Sequence, residues 1–246
     1  MIALERRSGR VPPHRVGRSG GGVEAFTRAQ EDYLKALYLL RGDQRPVPTR
    51  ELAQRLGISS PSVSEMVARL TAQGLVEHDR YRGQQLTKEG RKVALELVRH
   101  HRLLEMFLVE VLGYTWDEVH DEAERLEHVI SERMEARIFE LLGRPELDPH
   151  GQAIPSLTGK VRPLSDRALS DCRAGEKVRV QRVSDEDPAL LRELERRGLV
   201  PGTRIEVLLV SEFESPVECR IKGRRASIPL GLARAVYVEA DLERSR

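Results

Sequence analysis

The chain has 246 residues, 41 Lys and Arg against 39 Asp and Glu, a mean hydropathy of −0.45 and two cysteines. That length accommodates two or three small domains, and the near balance of charge excludes a globally electrostatic partner, so any nucleic-acid surface must be a local basic patch. Scarce aromatics argue against stacking of single-stranded bases, Cys172 and Cys219 lack zinc or disulfide spacing, and no apolar run approaches a membrane span, which together lead us to expect a soluble cytoplasmic protein.

Residues 1–22 combine Gly, Pro and Arg with little periodicity and read as a flexible basic arm, a candidate for touching DNA phosphates. From Glu24 to Arg41 an apolar helical pattern runs through Tyr33, Leu34, Leu37, Tyr38 and Leu40. In PVPTRELAQRLGIS, Thr49 is the expected N-cap, Leu52, Ala53 and Leu56 share a face, and Gly57 closes the helix. A third helix is expected to start with Ser60 as cap and Pro61 in the first position, burying Val63, Met66, Val67 and Leu70. GLVEHDRYRGQQLTKEG then reads as two short strands around Arg82-Gly83, with Lys88 opening the next helix.

Helix, helix, glycine turn, helix and basic hairpin make a winged helix-turn-helix over residues 23–92. The candidate DNA contacts are Thr49 and Arg50 on the first of the paired helices. Ser59, Ser60, Pro61, Ser62, Ser64, Glu65 and Arg69 lie on and before the second, and Arg80, Arg82 and Lys88 on and after the wing. Small hydroxyl residues at a helix start let its N-terminus approach base edges and phosphates, and the wing cations suit phosphate contact.

Residues 91–142 hold two expected long helical stretches broken at Gly113-Tyr114, within a helical domain expected over 93–157, and the Pro/Gly-rich stretch that follows reads as a linker, with residues 158–174 the linker proper. Residues 175–241 change character. EKVRVQRV, TRIEVLLV, VECRIKG and RAVYVEA alternate as short strands, and PALLRELERRGL is one helix, so an SH3-like β-barrel is expected. The fold class is therefore mainly α with a small β domain.

HDEAERLEH, residues 120–128, poses the chemical question. At about 100° per residue from His120, Glu124 falls at about +40°, Glu127 at about −20° and His128 at about +80°, an arc about 100° wide. Val119, Ala123, Leu126 and Ile130 form the neighbouring apolar stripe, so the arc borders the buried seam instead of opposing it. His101 and Glu105, four apart, sit likewise beside Leu97, Leu104, Leu108 and Leu112. Carboxylates on a leucine seam are costly to bury without a cation. Asp121, Glu122 and His100 fall outside the arc.

The winged helix together with HDEAERLEH, HRLLEMFL, EDYLKALYLL and DPHGQAIP resembles the metal-dependent repressors of the diphtheria toxin repressor and manganese transport regulator family, closely over residues 24–155 and more loosely through the third domain. The resemblance implies two metal sites per subunit. One uses Asp32, Glu124, Glu127 and His128. The other uses His101, Glu105 and His120, with Glu186 or Asp187 supplied by the third domain. Iron-type members carry Met at the Asp32 position and Cys at the Glu124 position, whereas hard carboxylates here suit Mn(II) before Fe(II). Manganese-type members place a second carboxylate one turn after Asp32, where this chain has Lys35, which argues against a carboxylate-bridged pair of manganese ions.

The expected function is a Mn(II)-responsive, homodimeric regulator that reads a palindromic double-stranded operator and controls manganese or iron transport genes, with no membrane and no small organic substrate. An Fe(II)-responsive regulator is the alternative, and a manganese-dependent metallohydrolase the alternative of another class. An enzyme is not expected, because the ligands lie on helix seams and no open cleft pattern accompanies them.

Overall fold

The computed structural model describes residues 26–185, 187–210 and 215–241, so the expected basic arm and Glu186 lie outside the described residues. Helix α1 (Arg28–Leu39) starts later than its apolar pattern suggests, because Thr27 and Gln30 form a reciprocal capping box. Helix α2 (Thr49–Leu56) follows Pro48, which leaves Thr49 as its first residue and not its cap, and Gly57 (φ 65°) ends it. Helix α3 (Ser60–Ala72) is capped one residue earlier than expected, by Ser59, whose hydroxyl accepts from the Ser62 N–H.

Strands β1 (Val76–Asp79) and β2 (Gly83–Leu86) pair antiparallel as the wing. Asp79 Oδ1 accepts from the N–H groups of Tyr81 and Arg82 and so shapes the tip. Gly83 (φ 110°) is required there, since a Cβ would lie 2.1 Å from the Val47 carbonyl oxygen. Leu34, Leu37, Leu52, Val63, Leu70 and Val76 are the centre of this domain's core.

Helix α4 (Lys88–Glu110) is the spine of the molecule, with α1, α5 (Val119–Leu126) and α6 (Glu132–Leu141) packed against it. The second expected helical stretch is in fact two helices, because the Ser131 hydroxyl accepts from the Met134 N–H and starts α6 afresh. Buried Arg99 on α4 donates to Glu135 on α6 (2.5 Å) and to the Pro155 carbonyl (2.7 Å), with its guanidinium over the Phe139 ring. Residues 147–153 are a packed strap where the composition suggested a linker. Leu147 bridges Ala153, and Asp148 and His150 are buried. Gly151 lets the strap touch the third domain, since a Cβ there would meet the Gln181 carbonyl oxygen at 2.1 Å.

The third domain contains β3 (Lys177–Val183), α7 (Pro188–Arg196), β4 (Arg204–Leu209), β5 (Val217–Ile221), β6 (Arg224–Ile228), α8 (Leu230–Arg234) and β7 (Val236–Ala240). The antiparallel order is β6-β5-β4-β3-β7, bent by register shifts at Val180/Arg182 and Val207/Leu209. Strand β6, RRASI, carries almost no buried side chain, and its alternation is therefore silent in the sequence. Trp116, from the α4–α5 loop, belongs to this domain's core. The fold is thus mainly helical with a small SH3-like β domain, and no helix among the described residues is long and apolar enough to cross a membrane.

Candidate metal centre

Helix α1 lies between two machineries. On one side Tyr33 donates to the Ser62 carbonyl (3.4 Å) and Gln30 donates to Gln73 (2.8 Å), which ties α1 to both ends of α3. On its other side Glu31, Asp32 and Lys35 meet the C-terminal end of α5, and Arg28 donates to the Glu124 carbonyl (3.3 Å).

Asp32, Glu127 and His128 bring one ligand atom each to a common point. His128 Nδ1–H donates to Glu31 at 2.6 Å, which leaves Nε2 as the bare nitrogen. That Nε2 lies 3.0 Å from Asp32 Oδ1 and 3.5 Å from Glu127 Oε1, yet has no hydrogen-bond partner among the described residues. A buried lone pair facing two carboxylate oxygens fits a dication and fits no proton donor on hand. Burial raises the Asp32 carboxyl, His128 opposes the rise, and Glu124 and Glu127 add to it. Glu124 does not complete this group, because its Oε1 lies 2.6 Å from Lys35 Nζ.

The second cluster is larger than the residues expected for it. Glu105 Oε1 lies 2.9 Å from His101 Nε2 and 3.3 Å from His120 Nδ1, as the sequence implied. Its Oε2 points the other way, toward His150 Nδ1 at 3.8 Å and toward Asp148. Glu105 Oε2, Asp148 Oδ2 and His150 Nδ1 are all buried and all lack hydrogen-bond partners among the described residues. Their other atoms are fixed. His150 Nε2–H donates to the Trp116 carbonyl (3.0 Å), and Asp148 Oδ1 accepts from the N–H groups of His150 and Gln152 (both 2.9 Å). Desolvation works against Glu105 ionising, but His101, His120 and His150 around it hold its carboxyl well below the usual range. Asp148 goes the other way: burial first, then the Glu105 charge, push it up to about 7. One carboxylate thus faces two donor sets, His101 with His120 on one side and Asp148 with His150 on the other, and on the second side Arg102 Nε also stands 3.6 Å from Asp148 Oδ2.

The strap reaches this position because Val183 donates to the His150 carbonyl (2.9 Å) and Gln152 donates to the Val183 carbonyl (3.0 Å). Sequence reasoning missed Asp148 and His150. The signal was an Asp-x-His pair inside an otherwise apolar, Pro-rich strap. Asp187 does not join the cluster, because it is exposed and caps α7, accepting from the N–H groups of Ala189 and Leu190. Asp185, two residues earlier, is the third-domain carboxylate whose charge reaches Asp148. His100, left outside the arc, indeed faces elsewhere, toward the Glu127 carbonyl (3.2 Å) and Glu135 (3.4 Å).

Ser59, Ser60, Pro61, Ser62, Ser64 and Glu65 are exposed along the first half of α3 and Arg69 in its last turn, and Arg50, Arg80, Arg82 and Lys88 are also exposed. Glu65 pairs with Arg69 one turn on. Thr49 is half-buried and donates to Gln84 of the wing (3.3 Å), so it steadies the motif from behind.

Three family models match the chain in series: an iron-dependent repressor N-terminal DNA-binding domain over residues 25–84, an iron-dependent repressor metal-binding and dimerisation domain over 87–156, and a FeoA domain over 167–240. The iron-dependent repressor IdeR of Mycobacterium tuberculosis is 37% identical over 190 residues, 72% of this chain and 82% of that protein. A solved manganese-dependent transcriptional repressor in complex with manganese is 42% identical with a TM-score of 0.80, covering 86% of this chain and 99% of that one. The structure of ScaR with bound Zn2+ is 36% identical with a TM-score of 0.74, covering 86% and 99%.

Proposed function

This chain belongs to the iron-dependent repressor family, and from that premise we propose that it is a cytoplasmic, Mn(II)-responsive transcriptional repressor that binds a palindromic operator as a homodimer and controls manganese transport genes. The observation that carries this reading is the two-sided contact of α1. Asp32 faces Glu127 and His128, while Tyr33 and Gln30 hold α3. When bound, a dication would neutralise carboxylates that otherwise repel across the α1–α5 seam. Asp32 then holds α1 against α5, Tyr33 and Gln30 hold α3 to α1, and the exposed serine ridge is set at a fixed angle to its two-fold mate. A dimer reading a palindrome needs that angle, since its recognition helices must sit about 34–36 Å apart. Differential affinity of metal for this arrangement is what shifts the population toward it.

Asp32, Glu127 and His128, joined by Glu124 once it turns from Lys35, form the first metal position. Glu105 with His101 and His120 is the second, and Asp148 and His150 meet the other oxygen of the same carboxylate. Both donor sets are oxygen and imidazole without thiolate, which favours Mn(II). Relatives named for iron and for manganese keep Fe(II) as the second reading. The dimer surface is the apolar ground left exposed on this domain by Val111, Leu112, Val129, Met134 and Leu141. The relatives are repressors, which leaves the hydrolase alternative without support. The test is fluorescence anisotropy of a palindromic duplex selected from a random pool. Binding is expected with Mn(II), weaker with Fe(II), and lost both in chelator and in Asp32→Ala. Equal affinity in every condition would overturn the proposal.

A further inference from the structure

Between the two metal positions lies a third set of converging donors, His101, Glu124 and Glu127, whose ligand atoms lie within 4.8 Å of one another. It already holds a cation. Lys35 is buried, and its Nζ lies 2.6 Å from Glu124 Oε1, 2.9 and 2.8 Å from the two Glu127 oxygens, and 3.1 Å from His101 Nδ1. A lysine stem threaded from α1 thus delivers a single positive charge to the middle of the row. A metal bonding to those same three atoms at about 2.0–2.3 Å would have to stand where the ammonium stands, so the two exclude each other. Both neighbours feel it. Glu127 shares its oxygens between Lys35 and the Asp32–His128 group, and Glu124 is drawn away from that group altogether.

We propose that the Lys35 ammonium is a built-in cation that fills the position between the two metal positions, so that the chain takes metal on either side of it but not in the middle. This rests on the metal-regulator reading above. Lys35 has two consequences. It offsets the charge of Glu124 and Glu127 in the metal-free chain, leaving the Asp32 side of the α1–α5 seam as the part that only metal neutralises. It also competes for Glu124 and repels a dication at the Asp32 position, which raises the metal concentration needed for response. The repulsion between a single and a double charge a few Å apart is worth about tenfold in affinity even at water's dielectric constant.

The test compares the full-length chain with Lys35→Met, Lys35→Gln and Lys35→Arg. Bound manganese per chain is counted by equilibrium dialysis with elemental analysis, and affinity is measured by calorimetry. Lys35→Met and Lys35→Gln are expected to bind one more equivalent than wild type, and to bind the first equivalent about tenfold tighter. Lys35→Arg, which keeps the charge, is expected to show the wild-type number. Melting gives a readout independent of counting. Metal-free Lys35→Met should melt below wild type, and Mn(II) should raise its Tm by more than it raises that of wild type. A purely structural lysine would lower both melts equally, and that result would overturn the proposal. So would an unchanged equivalent number and affinity in Lys35→Met and Lys35→Gln, or an extra equivalent in Lys35→Arg. If Lys35→Met unfolds without metal, it is prepared throughout in Mn(II) and its equivalents are counted in that state, where the same numbers decide. A wild type that binds no manganese would contradict the regulator reading itself, whereas variants that match a manganese-binding wild type contradict only the role of Lys35.

Discussion

Replacing Glu31 isolates the one contact that decides which nitrogen His128 offers to metal. Glu31 Oε2 accepts from Nδ1–H at 2.6 Å, and this leaves Nε2 bare beside Asp32 and Glu127. Outer partners of this kind are worth about 10–100-fold in metal affinity, or about 1.4–2.7 kcal/mol. Glutamine keeps an acceptor but loses the charge and can turn its amide to the ring, so Glu31→Gln should fall at about the tenfold end. Alanine leaves only water, and with Glu31 about a quarter exposed, water fills the place imperfectly, so Glu31→Ala should approach about 100-fold. For a chain of this size about 2.7 kcal/mol corresponds to a Mn(II)-induced rise in Tm smaller by roughly 5–11 °C. Calorimetric titration with Mn(II) and melting with and without Mn(II) measure both quantities. The metal-free melt should move little, because Glu31 reaches solvent. A Glu31→Ala affinity within about twofold of wild type would refute the assignment of Nε2 as the ligand atom.

His150→Phe should remove one bound manganese per chain while leaving the Asp32 position filled, and an unchanged count by dialysis would exclude the strap from metal binding. Arg99→Met leaves buried Glu135 with His100 alone and should destabilise the fold by about 3 kcal/mol in urea unfolding, with a loss under about 1 kcal/mol counting against a tightly held pair. Gly83→Ala should weaken operator binding at undiminished manganese affinity, since the clash with Val47 distorts only the wing. With Asp148 pushed up to about 7, the metal-free fold retains a proton that the unfolded chain releases near pH 4. That contribution is present at low pH and is lost as pH rises toward about 7, so Asp148→Asn should flatten the fall in urea midpoint between about pH 5 and pH 8 in chelator; an identical profile would argue against it.

What the sequence disclosed about the site follows from periodicity. His101 and Glu105 lie on α4, His120 at the start of α5 and Glu127 and His128 just past its end, where an angular projection places them beside the leucine seam, and in space they gather as two neighbouring groups, His101 with Glu105 and His120, and Glu127 with His128. Asp32 came only through resemblance, since nothing local on α1 marks it. The strap residues were hidden because their partner Glu105 is more than forty positions away and proline-rich composition imitates a linker. Lys35 was legible as a residue out of place, but not as an interior cation. A lysine on an amphipathic helix ordinarily reaches water, and only the packing of α1 on α4 and α5 turns its Nζ inward. Smaller differences at Thr49, Ser60 and strand β6 are those of caps and half-exposed strands, whose bounds are set by single hydrogen bonds that composition does not encode.

Helix α1 carries information in both directions between metal and DNA, and thermodynamic linkage makes that measurable. If Mn(II) tightens operator binding by some factor, the operator must tighten Mn(II) binding by the same factor. Calorimetric Mn(II) affinity should therefore rise in the presence of the selected palindromic duplex by the factor that anisotropy records for DNA, and both effects should vanish in Asp32→Ala. A manganese affinity indifferent to DNA in the wild-type chain would contradict the account.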